Sequence, residues 1–322
     1  MKRLITVVML VVSALWALGA SAQMYPNRPI KLIVADSAGG APDQLGRLIT
    51  ERLSNNVNQP VVVDNRPGAG GALGAELAAK SAPDGYTLLL TTTAIYAILP
   101  NLRKNLPYDP VRDFVPITRI ATASNVLVVN NELPVKDIAE LVKLAKEKPG
   151  ALNYASAGVG TPAHLAGEML NLLADIKVVH VPYKGAAPAL ADVIGGNAQY
   201  IITSPLAAGA HMNGGRVRAL ATTGTQRNPS LPDLATIAET LPGYDITQTW
   251  GIVVPTGTPP EIVNKLSAEI VKVMNQPDVR EKVLATGATP VGDSPAQFEA
   301  FMTKERQRLG DVIAKRGIVL TD

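Results

Sequence analysis

Short β-branched or leucine-rich runs recur along this chain, each followed by a Gly/Ser/Thr/Pro turn and then by an amphipathic stretch of helical period. The runs cover residues 30–34, 61–63, 88–90, 126–129, 178–181, 199–202 and 252–254. A strand that is apolar on both faces has to be covered on both faces, and helices alternating with such strands do this in parallel sheets built from βαβ units. Helices are expected over residues 134–148, where Ile138, Leu141, Val142 and Ala145 share a face, and over 161–173, where a proline follows a threonine cap. After residue 254 the rhythm stops, and residues 260–275, 279–285 and 295–316 read as successive helices packing across a sheet already formed. With 300 residues from Gln23 onward the chain exceeds the usual single-core size, so two α/β lobes are expected, one large domain being the alternative.

The first 22 residues stand outside this rhythm. Lys2 and Arg3 precede an apolar run from Leu4 to Leu18, and Ala20-Ser21-Ala22 has the small-x-small form of a signal peptidase site. Fifteen residues rise only about 22 Å as a helix, short of a roughly 30 Å hydrocarbon core, which argues against a membrane anchor. Cleavage before Gln23 is expected to leave 300 residues in a Gram-negative periplasm. Losing Lys2 and Arg3 lowers the formal charge from +3 to +1. A nearly neutral chain with 4% aromatic residues offers neither the basic surface nor the stacking platforms that nucleic acid requires. The complete lack of cysteine excludes disulfide scaffolds, thiol nucleophiles, iron–sulfur clusters and thiolate zinc sites.

The polar chemistry gathers in the turns that follow strands. Asp36-Ser37-Ala38-Gly39-Gly40 with Asp43 follows the first run; Thr91-Thr92-Thr93 follows the third; Ser156, Gly158 and Thr161 follow Tyr154; Tyr183-Lys184-Gly185 and Thr203-Ser204-Pro205 follow two later runs. In an open parallel sheet these turns gather beyond the carboxyl ends of the strands, where ligands bind. Glycine admits close approach, Ser and Thr present hydroxyls, and helix starts carry free N–H groups. A helix start favours an anion by about 0.3 to 2 kcal/mol, and hydrogen bonds to a charged group contribute about 1.5 to 3 each. Micromolar binding needs about 8 kcal/mol, so donors from both lobes have to converge. These residues predict a small organic anion, a carboxylate, held between closing lobes, with Trp250 as a wall.

Catalysis finds little support. His164, His180 and His211 are the three histidines, none in a metal-ligand spacing and none beside a G-x-S-x-G turn. His180 lies in an apolar run and reads as a satisfied core histidine. His164 reads equally as a ligand contact or a loop brace. An exported hydrolase or isomerase would need His164 and Asp43 to meet across the cleft. The glycines from Gly68 to Gly74 imitate a dinucleotide fingerprint, but Asp64-Asn65-Arg66-Pro67 lengthens the turn, and they read as close packing of loop against helix. Neither a cofactor nor a metal is expected.

Eight ordered motifs carry a resemblance: Tyr25-Pro26-Asn27-Arg28-Pro29-Ile30, Gly39-Gly40 with Asp43, Asn65-Arg66-Pro67-Gly68-Ala69-Gly70-Gly71, Pro83-Asp84-Gly85-Tyr86-Thr87-Leu88, Leu106-Pro107-Tyr108-Asp109-Pro110, Asn153-Tyr154-Ala155-Ser156-Ala157-Gly158, Val181-Pro182-Tyr183-Lys184-Gly185 and Pro255-Thr256-Gly257-Thr258-Pro259-Pro260. In this order they resemble the substrate-binding proteins of tripartite tricarboxylate transporters, the Bug receptors, across essentially the whole chain after residue 22. The resemblance implies an α/β, two-lobed periplasmic-binding-protein fold with mostly parallel sheets flanked by helices and strands crossing between lobes. Residues 23–124 and 251–322 would form one lobe and residues 125–250 the other. It further implies a monomer that clamps a carboxylate with the loops at Ser37–Gly40 and Ser156–Thr161 and hands it to a membrane permease, or signals to a sensor. Three positions depart from the pattern: Ala35-Asp36, the neutral segment 199–203, and Thr249 before Trp250. A carboxylate at Asp36 would welcome an ammonium or hydroxyl, which predicts an amino or hydroxy acid ligand; a capping role for Asp36 reads as well.

Overall fold

The computed structural model describes residues 25–36, 38–183 and 185–318; the expected signal peptide, Ser37 and Lys184 lie outside the described residues. Strand β1 (Ile30–Val34) leads into helix α1 (Ala41–Val57), which buries Leu45, Ile49 and Leu53 at four-residue spacing. After β2 (Val61–Asn65), α2 (Ala72–Ala79) and β3 (Thr87–Thr92), a π-helical turn (Ala94–Ile98) runs into α3 (Leu99–Leu102). Strand β4 (Phe114–Ser124) hands the chain through Asn125 to β5 (Val126–Asn130). The second half-fold follows: α4 (Ile138–Glu147), β6 (Asn153–Ser156), α5 (Pro162–Ala174), β7 (Val179–Pro182), α6 (Ala186–Ile194), β8 (Tyr200–Thr203), α7 (Pro205–Asn213), β9 (Val217–Thr222) and α8 (Ile237–Thr240). Then β10 (Thr247–Pro255) returns, followed by α9 (Pro260–Met274), α10 (Pro277–Ala285), β11 (Thr289–Pro290) and α11 (Pro295–Arg316). No helix among the described residues is long and apolar enough to cross a membrane.

Two sheets result, ordered β11-β4-β10-β3-β1-β2 and β7-β6-β8-β5-β9. Parallel strand pairing joins β2-β1-β3 and β7-β6-β8, as the βαβ argument requires, but the runs at 126–129 and 252–254 pair antiparallel, so the sheets are mixed rather than mostly parallel. The strands that enter and leave the crossings, β4, β5, β9 and β10, pair antiparallel. Strand β4 went unforeseen because its register against β10 shifts twice, which breaks the alternation of its side chains. Helix α4 starts later than its apolar pattern suggests because Asp137 caps it, accepting from the Glu140 N–H at 2.8 Å.

Both crossings occur at the same end of each sheet. Val126, opening β5, lies opposite Thr203, the last residue of β8, and Thr247, opening β10, lies opposite Ser124. Trp250 pairs with Thr92 at the end of β3. The carboxyl ends of the parallel strands of both sheets therefore point toward the shared crossing. Thr223 pins it: its buried hydroxyl accepts from the Asn125 N–H at 2.8 Å and donates to the Ile246 carbonyl at 2.7 Å. One apolar cluster runs through both halves, from Leu89, Tyr96 and Phe298 to Tyr154, Tyr200 and Tyr244. The Tyr244 hydroxyl donates to the Ala166 carbonyl of α5 at 3.0 Å, and Arg308 of α11 donates to the Asp245 carbonyl.

Candidate functional site

The first sheet contributes the loop from Ala35 to Asp43. Asp43 is 3% exposed, and its carboxylate accepts from the Gly39 N–H at 2.8 Å, from Arg47 Nε at 2.9 Å and from Asn65 Nδ2 at 2.9 Å. Burial alone would raise this carboxyl, but those three hydrogen bonds outweigh it and hold it below the usual carboxylate range. Asn65 also donates to the Asp36 carbonyl at 3.2 Å. Asp43 is thus an internal tie that shapes the loop, while Asp36, Ala38 and Gly39 are exposed and Gly40 half-buried. Gly39 has φ +85°, and a Cβ there would meet nothing within 4 Å. Gly40 caps α1 without a side chain. The fingerprint-like glycines do pack closely: a Cβ on Gly74 would stand 2.6 Å from the Ala35 Cβ, and one on Gly71 2.9 Å from Ile95.

Beside this loop, Thr92 is half-buried, and its hydroxyl accepts from the Ile95 N–H at 3.4 Å. Thr93 is buried and serves the crossing, accepting from the Thr249 N–H at 2.8 Å. Trp250 is 4% exposed within the apolar core, with its indole N–H lacking an acceptor among the described residues. It offers a ligand little surface.

In the second sheet, Ser156 is fully buried. Its hydroxyl shares a 2.7 Å hydrogen bond with His180 Nε2 and accepts from the Gly158 N–H at 3.1 Å. Thr161 caps α5, accepting from the His164 N–H at 3.3 Å, and donates to the Gly158 carbonyl at 2.8 Å. The Gly160 N–H donates to His164 Nδ1 at 3.2 Å, which puts the proton of the neutral ring on Nε2. His164 is 5% exposed and stacks on His180 at 4.0 Å; His180 stacks on Tyr154 at 4.8 Å, and Tyr154 on Tyr200 at 5.6 Å. Burial, with His164 adding to it, pushes His180 down to about 4; burial pushes His164 down as well, against the pull of Glu168. Both rings are thereby kept neutral beneath the loop. Through the bond from Gly160, His164 braces that loop.

The turn after β7 hangs on the same loop, with the Tyr183 N–H donating to the Ser156 carbonyl at 3.0 Å and the Gly185 N–H to the Ala157 carbonyl at 3.2 Å. The Tyr183 hydroxyl donates to Asp192, which raises the phenol to about 12. Gly185, at φ +116° and with open space where a Cβ would stand, caps α6 without a side chain. Ser204 is exposed and caps α7, accepting from the Ala207 N–H at 3.2 Å. The braces Arg47, Asn65 and Asp192 escaped the residue-by-residue reading; His180 was read as a satisfied core histidine, and only the strand register that sets Tyr154 beside His180 and Tyr200 reveals the stack it joins.

Four helix starts, of α1, α5, α6 and α7, thus stand at the carboxyl ends that point toward the crossing, two capped by hydroxyls and two by bare glycine. Among the described residues no group of His, Asp and Glu is arranged to hold a metal ion.

Residues 45–318 match the family described as Tripartite tricarboxylate transporter family receptor. Protein BugT of Bordetella pertussis is 35% identical over 99% of both chains. The structure of R. palustris Rpa4515 with adipate superposes with a TM-score of 0.81 at 35% identity, covering 92% of this chain and 99% of that one. MatC from Rhodopseudomonas palustris with bound malate superposes with a TM-score of 0.76 at 30% identity, covering 90% of this chain and all of that one. The chain belongs to the tripartite tricarboxylate transporter receptor family, and its two-sheet α/β architecture is that of periplasmic binding proteins.

Proposed function

We propose that this protein is a periplasmic solute receptor, with residues 23–124 and 251–322 as one lobe and residues 125–250 as the other, that closes on a small organic carboxylate and delivers it to a tripartite-type membrane permease. The observation that carries the reading is the pair of helices α1 and α6, whose starts at Gly40 and Gly185 lack a side-chain cap while opening toward the crossing from opposite sheets. Each start favours an anion by up to about 2 kcal/mol when partly buried, and charge-assisted hydrogen bonds add about 1.5 to 3 each. Thr92, Gly158, Thr161, Tyr183 and Ser204 line the approach; Ser37 and Lys184 belong to the same loops. Solved structures of similar proteins with adipate and with bound malate support the ligand class. Binding rather than turnover is further supported by the ties on Asp43 and His164, the pair that hydrolysis would need. Asp36, exposed at the end of β1, favours a carboxylate that also carries an amino or hydroxyl group.

The test is a thermal-shift panel on the chain from Gln23, pairing plain dicarboxylates with their amino and hydroxy analogues. Ligand at a hundredfold excess over Kd stabilises by about 2.7 kcal/mol, a rise of several degrees in Tm. A flat response to every acid in the panel sinks the receptor reading. Equal response to plain and amino-substituted acids, unchanged in Asp36→Ala, sinks the Asp36 corollary alone.

A further inference from the structure

Away from the crossing, α3 and the segment after it form, with α11, a pocket of about 420 Å³ lined by Arg103, Lys104, Arg112 and Arg306. Of these, Arg112 pairs with Asp113 at 2.8 Å. Arg103, Lys104 and Arg306 have no ion-pair partner among the described residues, and Arg103 and Arg306 are half-buried. The Nε of Arg103 is buried without an acceptor. One acid, Asp109, also lines the pocket, and its Oδ1 is taken by the backbone N–H groups of Val111 and Arg112 at 2.8 and 3.1 Å. On the far side of Arg306, Asp311 accepts from Gln307 at 3.1 Å.

Two half-buried guanidiniums and the exposed Lys104 ammonium outnumber the one lining carboxylate, Asp109, and an unmet guanidinium N–H costs free energy, so the arrangement calls for a counter-anion. We propose that this pocket binds a phosphate monoester. A phosphate offers three oxygens and close to two charges to two guanidinium forks and an ammonium, whereas a single carboxylate fills one fork. The walls also contain Pro100, Leu106 and Val111, the last 59% exposed, so the pocket has apolar surface for the organic half of an ester. The same chemistry is available from a soluble ester or from a phospholipid headgroup.

Isothermal titration of the chain from Gln23 with glycerol 3-phosphate at low ionic strength tests this, in parallel with sedimentation on phosphatidylcholine vesicles with and without phosphatidic acid. Binding to the soluble ester identifies a free ligand; binding only to phosphatidic acid vesicles identifies a membrane headgroup. In the Arg103→Gln/Arg306→Gln protein either signal is expected to weaken about tenfold or more, and to fade with added salt, while the response to carboxylates at the crossing persists. Should the double variant fold poorly, Lys104→Glu, an exposed site, carries the same expectation. Silence in both arms with the unaltered protein, or equal binding by the variants, overturns the proposal.

Discussion

Lowering the pH asks His180 to take up a proton where the neutral ring is favoured. Burial lowers its pKa from 6.5 to about 4, with His164 stacked 4.0 Å away adding repulsion. The unfolded chain binds the proton first, so the contribution of the neutral ring is complete above pH 6.5 and is lost as the pH falls toward 4. A shift of about 2.5 units at about 1.36 kcal/mol each amounts to about 3.4 kcal/mol, which solvent around this half-buried ring reduces to about half. His180→Phe keeps an aromatic ring in the stack and cannot titrate. Urea unfolding of both proteins at the two ends of the window isolates the effect, because the carboxylates contribute equally to each. The advantage of wild type over the variant is expected to shrink by about 1.7 kcal/mol between them. An advantage of the same size at both pH values refutes the reasoning.

Three further outcomes follow from the packing. Gly74→Ala drives a Cβ to 2.6 Å from Ala35, and is expected to cost about 1 to 3 kcal/mol in urea unfolding and to weaken carboxylate binding by displacing the loop after β1. Asp43→Ala removes the acceptor for Gly39, Arg47 and Asn65; with the loop after β1 untied, a lowered Tm is expected, and ligand affinity measured by calorimetry is expected to fall with it. Thr223→Val strands the Asn125 N–H and the Ile246 carbonyl in a buried place, a loss of about 1 to 3 kcal/mol each, visible as a lowered Tm.

The loops that matter were legible because strand ends announce themselves: β1 begins and ends where its apolar run does, and Gly, Ser and Thr follow. Helix α11 was equally plain, opened by a capping box between Ser294 and Gln297. What the chain hides is direction. Ser156, Thr93 and Asp43 look like ligand contacts by type, yet all three are buried and bonded within the protein, Ser156 to His180, Thr93 to the crossing at Thr249 and Asp43 to its own loop. The ring stack joins Tyr154, His180 and Tyr200 through strand neighbours distant in sequence and adds His164 from α5, and local pattern has no access to such pairing. Strand β4 escaped for a related reason, since its shifted register is set by β10, more than a hundred residues later.

That late partner has a consequence for how the molecule comes into being. Strands β3 and β4 are not neighbours; β10 sits between them, supplied by residues made after the whole second sheet. Until residue 255 is available the first sheet is split, with an apolar edge waiting on each side of the gap, and α11 arrives later still to seal both halves. Assembly is therefore governed by long-range closure, which is slow.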